Sequence, residues 1–176
     1  IYAVVSGFLT SPILVTVNSK GRMKFISRFA HETSDLKYKD GNIYWTETLP
    51  DVRWSMETRS KVRYIGSRGG TKKDFSSNKD GMLYNPSFAG DTLATVRYYP
   101  EGRSALVAGT YEYPAPDSLQ LVETAWIGNI PYVTAISDNG FGVYSYDGQW
   151  KTVLAPQPVK VKDFRSHGNE LMFTCD

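Results

Sequence analysis

A hairpin unit recurs along this chain at intervals close to forty residues, and that rhythm limits the possible folds more than any other feature. One short strand begins at residues 43, 93, 131 and 171, so the intervals are 50, 38 and 40 residues. The copies read Ile43-Tyr44-Trp45-Thr46-Glu47, Leu93-Ala94-Thr95-Val96-Arg97, Pro131-Tyr132-Val133-Thr134-Ala135 and Leu171-Met172-Phe173-Thr174-Cys175. Each follows a tight-turn signal: Asp40-Gly41-Asn42, Gly90-Asp91, Gly128-Asn129 and His167-Gly168-Asn169. Gly, Asn and Asp tolerate the positive φ that two-residue hairpin turns demand. A further strand precedes each turn, at residues 35–38, 84–88, 121–127 and 159–164.

The rest of each unit follows from the same cues. Third strands are expected at 62–65, 105–108 and 142–146, and irregular fourth strands near 72–76, 111–113 and 152–154. Residues 2–6, 13–17 and 23–28 read as strands two to four of a unit lacking its first strand, with Asn18-Ser19-Lys20-Gly21 as a turn. No window carries a helical apolar stripe. Four antiparallel strands repeated about every forty residues predict an all-β protein of β-propeller blades. The expected division is a partial blade 1–33, blades at about 34–81, 82–117 and 118–157, and a partial blade 158–176. A β-sandwich is the alternative, but sandwich loops vary more in length and its strands exchange between sheets. About three complete blades with partial ones at each end make an awkward closed ring. The expectation is therefore a segment of a longer protein, or self-association through open blade edges.

Composition narrows the function classes. The 20 basic and 18 acidic residues nearly cancel, so no basic field points to nucleic acid. The single Cys175 cannot form an internal disulfide, and no apolar run approaches the roughly eighteen residues of a membrane span.

At Tyr84-Asn85-Pro86-Ser87-Phe88-Ala89-Gly90-Asp91 the chain resembles TolB-like propellers, also called WD40-like repeats. Their mark is a strand ending Pro-Ser-Phe before a Pro-Asp-Gly turn. Pro86, Ser87 and Phe88 match, and Gly90-Asp91 stands in place of the turn. The other blades keep the aromatic, as in Trp126 and Phe164, and lose Pro-Ser. Phrases such as residues 121–126 and 156–160 are similar to large Bacteroidetes proteins with such repeats. The resemblance implies a bacterial envelope protein, periplasmic or anchored at the cell surface, in which the propeller binds a protein, peptide or glycan. Relatives also serve as the non-catalytic propeller of prolyl-oligopeptidase-type serine peptidases, restricting access to a separate hydrolase domain.

Within the chain, catalytic chemistry has few candidates. Nucleophilic catalysis needs a base to activate the nucleophile, and His31 and His167 are the only imidazoles. His167 falls in a turn and His31 on a connection between blades, and no Gly-x-Ser-x-Gly elbow is present. Three Cys and His residues, widely separated, do not suggest zinc, and pairs such as Asp35 and Asp40, or Asp138 and Asn139, suit turns better than calcium. Residues 64–71 are glycine-rich but lack the Gly-Lys-Ser/Thr of a phosphate loop. No cofactor is expected. A glycosidase carboxylate pair drawn from two blades stays open, with no pair to nominate.

The most informative segment is residues 47–60, read as a long loop between second and third strands. Long loops in compact repeats often carry function, and Trp and Arg are enriched at the energetic centres of interfaces. Arg53 and Trp54 are therefore expected to contribute to a partner surface, with packing of Trp54 on its own blade as the alternative. Tyr98 and Tyr99, in the matching stretch of the next blade, are expected to share that face.

Overall fold

The computed structural model describes residues 1–7, 10–30, 32–50, 58–75 and 82–176. The chain divides into two compact units, Ile1–Asn78 and Lys79–Asp176. In the first, β1 (Tyr2–Gly7), β2 (Thr10–Val17) and β3 (Met23–Arg28) form a three-stranded sheet. A four-stranded sheet follows, built of β4 (Glu32–Lys39), β5 (Asn42–Pro50), β6 (Thr58–Gly66) and β7 (Lys73–Phe75). The core gathers Leu14 and Phe29 with Ile43, Trp45 and Ile65, all essentially inaccessible to water. Phe29 meets Trp45 edge to face at 5.1 Å, and Tyr2 stacks on Tyr38 at 5.0 Å. Each such side chain contributes about 1.5–3 kcal/mol by leaving water.

The second unit begins with β8 (Met82–Ala89), β9 (Thr92–Tyr98), β10 (Ser104–Ala108) and β11 (Tyr111–Pro114) in one sheet. The next sheet holds β12 (Gln120–Ile127), β13 (Ile130–Ser137), β14 (Gly140–Tyr146) and β15 (Trp150–Gln157), and a hairpin of β16 (Val161–His167) and β17 (Glu170–Cys175) ends it. Ala94, Val96 and Leu106 of the first sheet pack with Leu121, Val133 and Ala135 of the second. The second sheet's other face sets Ala125 and Val143 against Phe164 of β16. This sheet is thus covered on both faces, which is why β13 carries no solvent-facing polar alternation in its middle.

Among the described residues every sheet is a meander of consecutive strands, paired antiparallel with no exchange between sheets. That excludes the β-sandwich alternative and gives the expected architecture: three four-stranded blades flanked by a three-stranded and a two-stranded sheet. Most strands run a few residues longer than the sequence reading has them, and two of these differences bear on the site. β15 runs over Trp150–Gln157, longer than residues 152–154. As the outer strand it pairs only with β14, so Pro156 interrupts no second ladder.

The larger correction concerns residues 47–60. β5 continues to Pro50 and β6 starts at Thr58, with Glu47 opposite Lys61 and Thr48 opposite Ser60. Glu47, read from sequence as the junction of strand and loop, is fully buried and its carboxylate meets the Arg63 guanidinium at 2.7 Å. Arg63 also lies 2.8 Å from Asp74 on β7. Pairing across adjacent strands is what makes burial of this charge tolerable.

A feature not expected from sequence recurs in the first strand of each hairpin. The register shifts between Ser34 and Lys37, Tyr84 and Ser87, Leu121 and Thr124, and Lys162 and Arg165. At three of these bulges an Asp or Asn takes the left-handed conformation: Asp35 (φ 58°), Asn85 (φ 53°) and Asp163 (φ 54°). Short polar side chains visit this region at least cost among non-glycine residues. In the second unit the bulges join one blade to the next. The Asn85 side-chain amide donates to the Val122 carbonyl. Thr124 Oγ1 donates to the Asn85 carbonyl at 2.9 Å and lies 2.6 Å from Ser87 Oγ. The Glu123 carboxylate accepts the Phe164 amide at 2.6 Å.

Candidate contact surface

Arg53 and Trp54 lie outside the described residues, as does His31. Tyr98 and Tyr99 are both described and have different roles. Tyr98 ends β9 rather than standing in a loop, because its ring has a hydrophobic seam to fill. It packs edge to face on Tyr84 at 5.3 Å, and its hydroxyl donates to the Leu121 carbonyl of the next blade. Burial, reinforced by Tyr84, pushes the phenol up to about 12. Tyr98 is therefore a fastening between blades.

Tyr99 opens the turn to β10. Its amide donates to the Arg103 carbonyl at 2.9 Å, and the Gly102 amide donates back to the Tyr99 carbonyl at 2.9 Å. The turn requires φ 87° at Gly102, which glycine supplies freely. The Arg103 guanidinium sits 5.4 Å from the Tyr99 ring centroid and pairs with Glu101. Hydrogen bonding to its own backbone amide, then to Arg103, holds the Glu101 carboxyl below the usual range.

This turn borders a half-open cleft of about 250 Å³, lined by Glu101, Arg103, Ser104, Pro116, Asp117 and Leu119 among others. The Ser104 hydroxyl is committed to the scaffold: it accepts the Leu121 amide at 3.0 Å and donates to the Leu119 carbonyl at 3.3 Å. The cleft presents two carboxylates and one guanidinium, a set suited to holding polar groups of a ligand. Among the described residues, no group of three His, Cys, Asp or Glu side chains gathers as a metal site. No helix among them is long and apolar enough to cross a membrane.

An aromatic ladder that the sequence reading missed links two blades of the second unit. Tyr111 stacks on Tyr113 with centroids 6.4 Å apart, Tyr113 contacts Tyr146 at 4.3 Å, and Tyr146 meets Trp150 edge to face at 5.2 Å. The rings come from β11 of one blade and from the β14–β15 hairpin of the next. Trp150 Nε1 donates to the Pro114 carbonyl at 2.8 Å. Alternation along Tyr111-Glu112-Tyr113 signals one shared face, but the partner rings lie more than thirty residues away in sequence.

No family model matches the chain, and no curated protein does. Solved structures do match. The β-propeller domain of the Trilobed protease from Pyrococcus furiosus aligns with 89% of this chain and 50% of its own length, with a TM-score of 0.61 and 10% identity. An acylaminoacyl peptidase in complex with Z-Gly-Gly-Phe-chloromethyl ketone aligns over 94% of this chain and 27% of its own, with a TM-score of 0.65 and 11% identity. The uncomplexed Pyrococcus horikoshii acylaminoacyl peptidase gives 0.63 and 11%, over 94% of this chain and 28% of its own. The chain thus spans half the length of the first of these proteins and little more than a quarter of the others. At such identity the likeness shows the fold alone, and that fold is the β-propeller.

Proposed function

We propose that this chain is a non-catalytic propeller module that stands beside a hydrolase domain outside these residues and governs which substrates reach it. The observation that carries this reading is the fold's likeness, over nearly the whole chain, to a propeller of a protease and to acylaminoacyl peptidases. The charged cleft and the turn carrying Tyr99 and Arg103 are consistent with a surface that meets peptide. A fluorophosphonate probe on the polypeptide that carries these residues tests it. Labelling of a serine outside residues 1–176 is expected, and deleting this segment should relax discrimination against long peptides while sparing cleavage of short ones. Labelling within the segment would overturn the non-catalytic role.

A second reading rests on Pro86-Ser87-Phe88, the motif similar to TolB-like repeats. On it, the module binds a protein, peptide or glycan in a bacterial envelope, at the periplasm or cell surface, with no hydrolase attached. Recovery of the protein in the periplasmic or surface fraction, with no probe labelling anywhere in the polypeptide, would favour this reading over the first.

A further inference from the structure

The near balance of charge over the whole chain conceals a division between its two units. Residues 1–78 carry 13 Lys and Arg against 7 Asp and Glu, whereas residues 79–176 carry 7 against 11. In the first unit, Glu47 and Asp74 neutralise Arg63 and Lys61 on β6. The surplus of positive charge gathers on β3 and beside it. Lys20 and Arg22 stand in the turn before β3, where the Asn18 side chain accepts both of their amides, at 2.9 and 3.0 Å. Lys24 and Arg28 lie on the strand itself. The turn between β6 and β7, which carries Arg68 and Lys72, comes down on the far end of the strand. There the Lys72 ammonium donates to the Arg28 carbonyl, and a Cβ at Gly69 would lie 3.7 Å from the Ile26 carbonyl oxygen. Among the described residues none of these six cations meets a carboxylate, and all but Lys72 are exposed.

Charged side chains also guard an edge strand against chance pairing, but either sign serves that purpose and β3 has no carboxylate at all. A surface of one sign repels itself and draws its opposite. The form of that opposite follows from the backbone. Among the described residues β3 pairs only with β2, so the other side of its ladder is open apart from the Arg28 carbonyl that Lys72 takes. An extended peptide joins such an edge by main-chain hydrogen bonds, which a nucleic acid or a lipid surface does not. We infer that β3 receives an extended acidic segment of a partner protein as an added strand, its carboxylates meeting the cations on and beside β3. This site needs no hydrolase domain, so it stands or falls apart from the gating reading.

Fluorescence anisotropy with the full chain tests it at about 20 mM salt, where screening is weak. The labelled probes are capped peptides of five Thr-Glu or five Thr-Gln repeats, and an oligothymidine of the same length. The Thr-Glu peptide alone should bind saturably, with Kd below about 1 mM, and should weaken as salt rises. Lys24→Glu with Arg28→Glu should weaken it at least about tenfold. Lys160→Glu with Arg165→Glu, the same change of charge in the second unit, should leave affinity within about twofold of the original. All four side chains are exposed, and unchanged thermal melts verify that both variants fold. N-methylation of either the threonines or the glutamates of the peptide keeps every charge. Methylation of the one set whose amides face β3 should abolish binding. Equal binding of the Thr-Gln peptide or the oligonucleotide, no binding of the Thr-Glu peptide, equal losses in the two double variants, or indifference to both methylations would each overturn the inference.

Discussion

Replacing Tyr98 by Phe separates two consequences of the seam between blades. Near neutral pH the variant loses the hydrogen bond to the Leu121 carbonyl and leaves that acceptor in a mostly buried seam, at a cost of about 1–2 kcal/mol. The second consequence appears in alkali. Burial pushes the Tyr98 phenol from the usual 10.0 up to about 12. Above pH 10 the unfolded chain sheds this proton while the folded chain keeps it, so unfolding is favoured as pH rises. The stabilisation is complete below the unfolded value and is lost between about pH 10 and 12, at up to about 1.4 kcal/mol per pH unit. The full window amounts to roughly 2–3 kcal/mol, and the partial exposure of the ring lowers that toward the smaller figure. Burial raises Tyr44 and Tyr144 as well, but the variant retains both, so the difference between the proteins isolates Tyr98. Urea unfolding in steps from about pH 8 to 11.5 reads it. The wild-type advantage should be greatest near pH 8 and shrink through the alkaline range. A constant difference across that range would refute a desolvated, hydrogen-bonded Tyr98.

Other sites give independent tests by chemical denaturation. Gly140 has φ +109°, and a Cβ there would lie 2.1 Å from the Gln157 carbonyl oxygen, so Gly140→Ala should destabilise by at least about 2 kcal/mol. The guanidinium of Arg97, 1% exposed, crosses the small Ala105 of β10 to reach Glu112 on β11. Arg97→Ala should cost about 3 kcal/mol, whereas Arg97→Met with Glu112→Leu should recover most of it, since only the single change strands a charge. At the bulge, Asn85→Ala should lose about 1–3 kcal/mol through its positive φ and its bond to Val122, while Asn85→Gly should recover the backbone share of that loss.

The sequence made the strand order legible because turn chemistry is local: Asp40-Gly41, Gly90-Asp91, Gly128-Asn129 and Gly168-Asn169 each stand where the chain reverses. What escaped depends on neighbours distant in sequence. Glu47 looks like the start of a loop until Arg63, sixteen positions later, reaches it diagonally across the ladder. Asp35 falls in an expected strand, but nothing local announces that its tolerance of positive φ serves a bulge inside β4. Tyr98 was grouped with Tyr99 because the two adjoin, but strand alternation sends one into the seam and leaves the other at the turn. The aromatic ladder needs two blades in contact before it exists at all.

The central claim is that successive blades of the second unit stand side by side through their first strands, with the bulges of β8 and β12 in register. Ser87 Oγ and Thr124 Oγ1, 2.6 Å apart and 37 residues apart in sequence, allow that to be tested directly. In a Cys175→Ser background, Ser87→Cys with Thr124→Cys should form an intramolecular disulfide in the folded protein under mild oxidation. Closing that loop should raise stability by about 4 kcal/mol on the chain-entropy account. Free thiols after oxidation of the folded protein, or a bridge that forms only once the chain is unfolded, would contradict the arrangement of blades described here.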